Sequence, residues 1–215
     1  MPGLAGKKAL VKVTGAPLDF TAEECSTSDD TTYTIDDAAK KYWDRDTPVQ
    51  VFEDGIAVNP ATDPYQIIRL TGQVVFDNAD ALRGAITVTG KYLPVSVAAG
   101  ARAYSFELSQ AVLDDSDFDT AGTDGHTRKL AGLKNVSGSI GRRFRVEAGM
   151  TDLLLAGDPV ILEFYSDRSQ APDLVCWALL TKEGIQAAVD GAIDADVDWE
   201  GIPDADGVLI ASTLA

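Results

Sequence analysis

A row of four acids near the end of the chain is the group of residues best placed to do chemistry. The row comprises Asp194, Asp196, Asp198 and Glu200. It alternates with apolar residues, and successive side chains of a β-strand face opposite sides of a sheet, so residues 192–201 are predicted to form a half-buried strand. Its acids then lie roughly 7 Å apart along one face. Such a face either binds a cation, repels a polyanion, or is a solvated surface that keeps a sheet edge from pairing. The pattern leaves these three readings open.

A second group of acids falls in a long polar loop, residues 112–129. The group comprises Asp114, Asp115, Asp117 and Asp119. If Asp115 opened an EF-hand loop, Thr120 would stand where the turn glycine is needed and His126 where the closing glutamate is needed. The calcium pattern therefore fails, and no metal site is predicted, although an irregular Ca²⁺ or Mg²⁺ site stays an alternative. Long loops of this kind are usually functional, disordered or ordered by a partner.

Residues for nucleophilic or cofactor chemistry are scarce. His126 is the single histidine of the sequence, and no recognisable catalytic motif flanks it. A Ser-His-Asp or Cys-His arrangement is therefore not predicted. No glycine-rich phosphate loop occurs, and the acids are too numerous for a glycosidase pair to stand out. We therefore predict that the protein is not an enzyme and takes no cofactor.

The overall charge narrows the choice of partners. The 215 residues include 34 acids against 18 bases, a net charge of −16. Binding to nucleic acid or to an anionic membrane needs clustered lysine and arginine, so attraction to either is not expected. A protein past which DNA slides without adhering is not excluded. No secretory signal and no apolar stretch of membrane-spanning length is evident, so synthesis in the cytoplasm is expected.

A basic cluster and two cysteines are the remaining candidates for a specific role. Arg142, Arg143 and Arg145 form the densest basic cluster, which either pairs with an acidic surface of a neighbouring copy or is scattered surface charge. Cys176 lies in an apolar run and is predicted to be buried, whereas Cys25 lies in a polar segment. Their spacing gives no zinc site, and the sequence leaves a disulfide between them undecided.

Alternation and turn signals predict a mainly β protein, an antiparallel sandwich or barrel with one or two short helices. The helices are expected at 34–43 and 150–156, and a polar loop at 21–32. The strands, several joined by hairpins such as the one at Asp54-Gly55, are expected at 9–14, 49–53, 56–58, 65–70, 73–76, 85–89, 101–110, in a pair within 133–146, and at 159–165, 174–181, 192–200 and 208–211. Residues 1–84 form a hairpin-rich N-terminal segment, and residues 85–215 form the core.

The C-terminal part of the chain resembles the tail tube (major tail) proteins of long-tailed bacteriophages. The likeness covers roughly residues 85–215. It lies in three pieces: a small-residue turn at 137–139, a strand following a short helix at 158–165, and a closing alternating strand at 191–201. The N-terminal GKKALVKVTG and the central ITVTGKYLPV are also similar to segments of such virion proteins.

The resemblance implies a virion subunit that is made in the host cytoplasm and ends in the phage tail. Copies of the β-sandwich would form rings, expected to be hexameric, whose sheets join around a channel, and the rings would stack into a tube. Partners would be other copies, the tape-measure, tail terminator and baseplate proteins, and double-stranded DNA that passes through without specific binding during ejection.

The candidate residues take roles within that scheme. The acids at 194, 196, 198 and 200 are assigned to the lumen. The arginines at 142, 143 and 145 and the acids at 114, 115, 117 and 119 are assigned to contacts between subunits. The alternatives are another virion component (tail terminator, capsid decoration or baseplate protein), a type VI secretion-like tube protein, and a calcium- or carbohydrate-binding β-sandwich.

Overall fold

The chain folds mainly into antiparallel strands, as the alternation predicted. The computed structural model describes residues 9–78, 83–114, 129–144, 149–186, 193–203 and 210–211. The strands are β1 Leu10–Thr14, β2 Leu18–Thr27, β3 Thr32–Ile35, β4 Gln50–Glu53, β5 Ile56–Ala57, β6 Tyr65–Ile68, β7 Gln73–Phe76, β8 Ile86–Tyr92, β9 Val95–Val97, β10 Ala101–Asp114, β11 Lys129–Arg143, β12 Val160–Tyr165, β13 Leu174–Gln186, β14 Asp194–Gly201 and β15 Ile210–Ala211. One α-helix, α1 Met150–Ala156, accompanies them in the described ranges.

The strands form two sheets. The N-terminal sheet has the order β5-β4-β8-β2-β3-β7-β6. The C-terminal sheet has the order β10-β11-β14-β13-β12-β1-β9, and β15 pairs with β13 beside this path. The sheets are not consecutive blocks of chain, because β1 precedes the N-terminal sheet yet pairs with β12 and β9. The predicted division into a segment 1–84 and a core 85–215 stays a prediction.

The C-terminal sheet curls around its own core. The ring of Tyr104 on β10 lies 5.1 Å from that of Phe164 on β12, although three strands separate β10 from β12 in the sheet. Trp199 of β14 stacks on the same Phe164 ring at 5.2 Å. Every residue of β12 is buried, so this strand is covered on both faces.

The outer face of β12 and β13 packs against the N-terminal sheet through an apolar cluster that is separate from the core of either sheet. The cluster comprises Tyr42, Leu70, Leu93, Ile161, Val175 and Trp177. Burying a side chain of this size contributes about 1.5–3 kcal/mol, so this cluster is a substantial part of what joins the two sheets.

Two local predictions are confirmed. Asp54 and Gly55 have φ values of 48° and 79°, as a tight two-residue hairpin between β4 and β5 requires. The helix at 150–156 forms as predicted and ends at Gly157, whose φ is 70° and whose N–H bonds to the carbonyl of Leu153 at 3.2 Å.

Three local predictions are wrong. The polar loop at 21–32 is largely strand β2, which pairs with β3 and β8. The helix at 34–43 is replaced by the end of β3 and a short 3₁₀ turn, Ala38–Lys40, capped by Asp37. The pair of strands within 133–146 is one strand, β11, and the small residues at 137–139 lie in its middle instead of forming a turn.

Candidate functional site

The predicted acidic strand is β14, and its alternation is confirmed. Asp194, Asp196 and Glu200 are exposed and Asp198 is half-buried, whereas the intervening Ala195, Val197 and Trp199 are buried. β14 lies between β11 and β13, so it is not an edge strand. The acids therefore do not serve to keep a sheet edge from pairing. Two interpretations remain: the acids bind a cation, or they repel a polyanion.

The neighbouring strands place small and polar side chains beside the acids. Residues directly opposite one another in an antiparallel pair share a face of the sheet. On β11, Ser137, Ser139 and Gly141 lie opposite Glu200, Asp198 and Asp196. On β10, the residues opposite these in turn are Glu107, Ser105 and Ala103. The hydroxyls of Ser105 and Ser139 lie 3.1 Å apart. We call the outer side of β10, β11 and β14 the acidic face.

Among the described residues, an ion pair reaches the acid row only at one of its ends. Nη1 of Arg102 lies 3.6 Å from Oδ1 of Asp194, and Arg143 lies opposite the same aspartate. In the part of the chain that the structure describes, Asp196, Asp198 and Glu200 form no ion pair within 4 Å, although Lys182 lies opposite Asp198 on β13. Neighbouring acids about 7 Å apart repel each other by only about 0.6 kcal/mol in water, so the fold tolerates the row.

One border of the acidic face is an open strand edge. Among the described residues β10 pairs with β11 alone, so the other edge of a 14-residue strand carries unpaired backbone groups. The β10–β11 hairpin also extends beyond β14, since the last β11–β14 pair is Ser137 with Glu200. The part of β11 before Ser137 therefore pairs only with β10. A two-stranded ribbon is marginally stable alone, so this part of the hairpin gains most from a covering surface.

The predicted intersubunit residues are not brought together. Arg142 is 3% exposed on the inner face, and it pairs with Glu183 of β13, whereas Arg143 is exposed. Thr151 of α1 donates to Oε2 of the same Glu183 at 2.7 Å, so the arginine and the glutamate anchor the helix. Asp114 ends β10 opposite Lys129. Arg145, Asp115, Asp117 and Asp119, together with His126, lie outside the described residues.

Sequence reasoning missed the most highly connected polar group of the described chain, Glu163 on β12. Its Oε1 accepts a hydrogen bond from Tyr42 and lies 3.2 Å from Nζ of Lys41. Its Oε2 accepts from Tyr165 at 2.5 Å and lies 3.3 Å from Nζ of Lys12. The signal was a lone carboxylate in the apolar run PVILEFY, but its partners Tyr42 and Lys41 lie about 120 positions away in the sequence.

The surroundings of Glu163 keep it ionised. Burial by itself would raise the pKa of this carboxyl, yet the hydrogen bonds from Tyr165 and Tyr42 and the charges of Lys41 and Lys12 outweigh burial and hold the pKa of Glu163 below its usual value. Burial and the bond to Glu163 raise the pKa of Tyr42, so this phenol stays protonated and donates. Every oxygen is satisfied inside the protein, so the group is suited to joining the sheets.

Neither a metal-ligand cluster nor a membrane-spanning helix is found in the described ranges. No group of three histidine, cysteine, aspartate or glutamate side chains there is arranged to hold an ion. None of the described helices has the length and apolar character needed to cross a membrane.

Comparison with known proteins gives one kind of likeness. No protein-family model matches the chain, and no curated protein matches it. Among solved structures, the chain is similar to the tail of an empty GTA particle with C6 symmetry. The two share 16% identity over 56% of this chain and 87% of that one, with a TM-score of 0.44. A likeness at this level assigns no function.

Proposed function

We propose that this protein is a structural subunit of a phage-type tail tube. Its copies form stacked rings, expected to be hexameric, and the acidic face lines the channel through which DNA passes. The proposal includes no catalytic role and no cofactor. The observation that carries it is the position of the acidic face: an exposed row of acids among small residues, on a sheet with a long unpaired edge. The resemblance of residues 85–215 to tail tube proteins supports the same reading.

The chemistry of the acidic face suits a surface that DNA must pass. Phosphates bind proteins through clustered lysine and arginine, and Asp196, Asp198 and Glu200 instead present unpaired negative charge. The serines and glycine opposite them are short, so they offer little on which a backbone or base could catch. At physiological salt the repulsion acts over about 8 Å, so it is effective only where DNA is confined near the wall, as in a narrow channel.

The edges of the C-terminal sheet suit a ring. The sheet ends at β10 on one side and at the three-residue β9 on the other. Two different edges meeting between neighbouring copies would make a head-to-tail contact, which closes into a ring when the rotation allows. Pairing also satisfies the backbone groups that an isolated copy leaves open on β10.

The β10–β11 hairpin suits contacts between rings. Its overhanging part has no third strand among the described residues, and a surface on the next ring would supply one. Asp114 and the acids at 115, 117 and 119 keep their proposed intersubunit role on this basis. Arg143 and Arg145 keep that role as a prediction from the sequence alone. Arg142 is the least suited to that role, because its charge is already paired within the chain. The tape-measure, tail terminator and baseplate proteins are the remaining proposed partners.

Electron microscopy of the purified protein at rising concentration tests assembly. We expect rings or tubes with a central hole, and a matched pair of variants gives the control. The backbone of Ser105 faces β11, so that of Leu108, three residues later in the same regular stretch, faces the free edge. Leu108→Pro would remove a backbone donor from that edge, whereas Leu108→Ala would change the exposed side chain alone. A wild-type protein that stays monomeric throughout would contradict the proposal. Isolated rings that never stack would indicate a terminator or another virion component.

Thiol labelling tests the lumen assignment separately. Both native cysteines are buried, so an introduced cysteine gives the dominant signal. We expect Asp196→Cys to react with a maleimide attached to a bulky polymer in the monomer and to be protected in the tube. The control is Glu24→Cys on the exposed face of the N-terminal sheet. If Asp196→Cys stays reactive in assembled tubes, the acids face outward, and the repulsion argument fails even though the tube stands.

A further inference from the structure

A cleft of about 590 Å³ lies where the two sheets are connected. Its walls include α1 and the two places where the chain crosses between the sheets, Gly15–Pro17 after β1 and Leu93 after β8. The crossings are hydrogen-bonded to each other, since N–H of Gly15 donates to the carbonyl of Pro94 at 2.8 Å. This volume falls within the range of protein sites that hold a small ligand or a short peptide.

The cleft has an apolar floor and an acidic rim. Leu93 and Val160 are buried in its floor, and Leu153 and Ala156 of α1 form one wall. The acids that line it come from separate elements: Asp44 and Asp46 from the loop after the 3₁₀ turn, Asp152 from α1, and Asp158 from the turn before β12.

The rim keeps most of its negative charge. Arg45 is the only base among the lining residues, and its Nε lies 3.9 Å from Oδ1 of Asp46. Asp44 accepts a hydrogen bond from Thr47 at 2.5 Å, which does not neutralise it. Asp152 and Asp158 are exposed and form no ion pair within 4 Å among the described residues. The acids are not arranged as a metal site.

We propose that this cleft binds a short peptide segment of a partner protein, one that carries lysine or arginine between apolar residues. Apolar side chains would fill the floor over Leu93 and Leu153. The cationic groups would pair with the acids on the rim. These carboxylates are not arranged to bind one metal ion together, but long flexible lysine or arginine side chains can reach them separately. The proposal does not depend on the tube, because the cleft lies on a different part of the chain from the acidic face.

Fluorescence anisotropy with labelled synthetic peptides tests the binding. The probe is a six-residue peptide alternating leucine and lysine, and the comparison peptides replace every lysine by glutamate or every leucine by serine. We expect saturable binding of the leucine–lysine peptide alone, weakened by salt because the rim pairs are exposed. Equal binding of the serine–lysine peptide would overturn the proposal, since attraction to an acidic protein would then suffice.

Matched variants locate the site. Asp152→Asn/Asp158→Asn removes two rim charges, and Asp196→Asn/Glu200→Gln removes two charges from the acidic face, so the net charge changes equally. We expect about fivefold weaker binding or more for the first pair and less than twofold for the second. Ala156→Phe fills the cleft without changing charge and should weaken binding at least as much as the first pair. Equal effects of the two charge pairs would overturn the proposal.

A second copy as the occupant is the competing outcome. Sedimentation velocity of wild type and Ala156→Phe distinguishes it. If the wild type forms an oligomer that Ala156→Phe dissociates, the cleft is filled by another copy and the peptide proposal is wrong. The expected result is the same sedimentation profile for both proteins, with peptide binding lost only in the variant.

Discussion

Tyr42 donates a hydrogen bond to the buried carboxylate of Glu163, a residue 121 positions later in the chain. Tyr42 follows the 3₁₀ turn beside the N-terminal sheet, whereas Glu163 lies in the middle of β12 in the C-terminal sheet. Lys41 approaches the same oxygen, and Lys12 and Tyr165 serve the other one. One ionised side chain thus joins the loop beside one sheet to two strands of the other.

Replacing Glu163 by glutamine should therefore destabilise the fold. The amide loses the charge that faces Lys12 and Lys41 and cannot accept with both of its terminal atoms. Removing one partner of a buried ion pair costs about 3–5 kcal/mol, and the lysines are partly exposed, so about 2–4 kcal/mol is expected here. Urea unfolding measures the change, with the exposed Glu24→Gln as the control. Equal stabilities of the two variants would contradict the role assigned to Glu163.

The contribution of Glu163 should also disappear in acid. Its pKa is lower in the folded protein than in the unfolded chain, so the unfolded state takes up the proton first as the pH falls. The contribution is complete above the unfolded value, about 4.3, and is lost as the pH falls through the lower folded value. The gap in unfolding free energy between wild type and Glu163→Gln should be constant from pH 7 to 5 and shrink below pH 4. A gap that grows in acid would reverse the assigned direction.

The Arg142–Glu183 pair should behave in a different way, because it is only partly satisfied. Nε and Nη1 of Arg142 have no hydrogen-bond partner, which adds a desolvation cost to the pair. Glu183→Gln leaves a buried, unpaired guanidinium and should cost about 3–5 kcal/mol. The double variant Arg142→Met/Glu183→Met should return to within about 1 kcal/mol of wild type, because buried pairs are often replaceable by apolar residues. Additive losses in urea unfolding would contradict this account.

Both cysteines should be unreactive in the folded protein. Burial, with Asp36 and Glu23 nearby, raises the pKa of the Cys25 thiol to about 12, and burial does the same for Cys176. The reactive form is the thiolate, so neither should react with Ellman's reagent at pH 8 within minutes. Two thiols per chain should titrate after unfolding in urea, since both are free. A native protein that reacts quickly at one thiol would contradict the burial of that residue.

Local sequence patterns correctly predicted the elements whose conformation depends on neighbouring residues. The period of two in β14 and the Asp54-Gly55 turn both follow from neighbouring residues, and both were predicted. The segment at 21–32 has no such period, and it becomes strand because β3 and β8 pair with it from distant parts of the sequence. Residues 34–43 had helical spacing, yet strand pairing holds both ends of the segment: Thr34 and Ile35 belong to β3, and Trp43 forms a bridge with Tyr92.

The candidate site likewise has one part that follows from the local sequence and one part that depends on strand pairing. The acid row was visible in the sequence, since alternation alone exposes one side of a strand. The serines opposite it depend on the register of β10, β11 and β14, which no single segment encodes. The arginines of the basic cluster do not share one surface, for a related reason. Adjacent residues of a strand face opposite sides, so Arg142 is buried while Arg143 is exposed.

Gly138 is the position where that register can be tested most directly. A Cβ added there would lie 2.0 Å from the carbonyl oxygen of Ser105 and 2.9 Å from both Cα of Phe106 and Cζ2 of Trp199. Gly138→Ala should therefore force β10 away from β11 and cost about 3 kcal/mol or more in urea unfolding. Gly184 on β13 is the matched control, because a Cβ there meets nothing within 4 Å. Gly184→Ala should be neutral or slightly stabilising, since alanine reduces the freedom of the unfolded chain. If the two alanines cost the same, β10 does not lie over Gly138, and the acidic face built on that register is wrong.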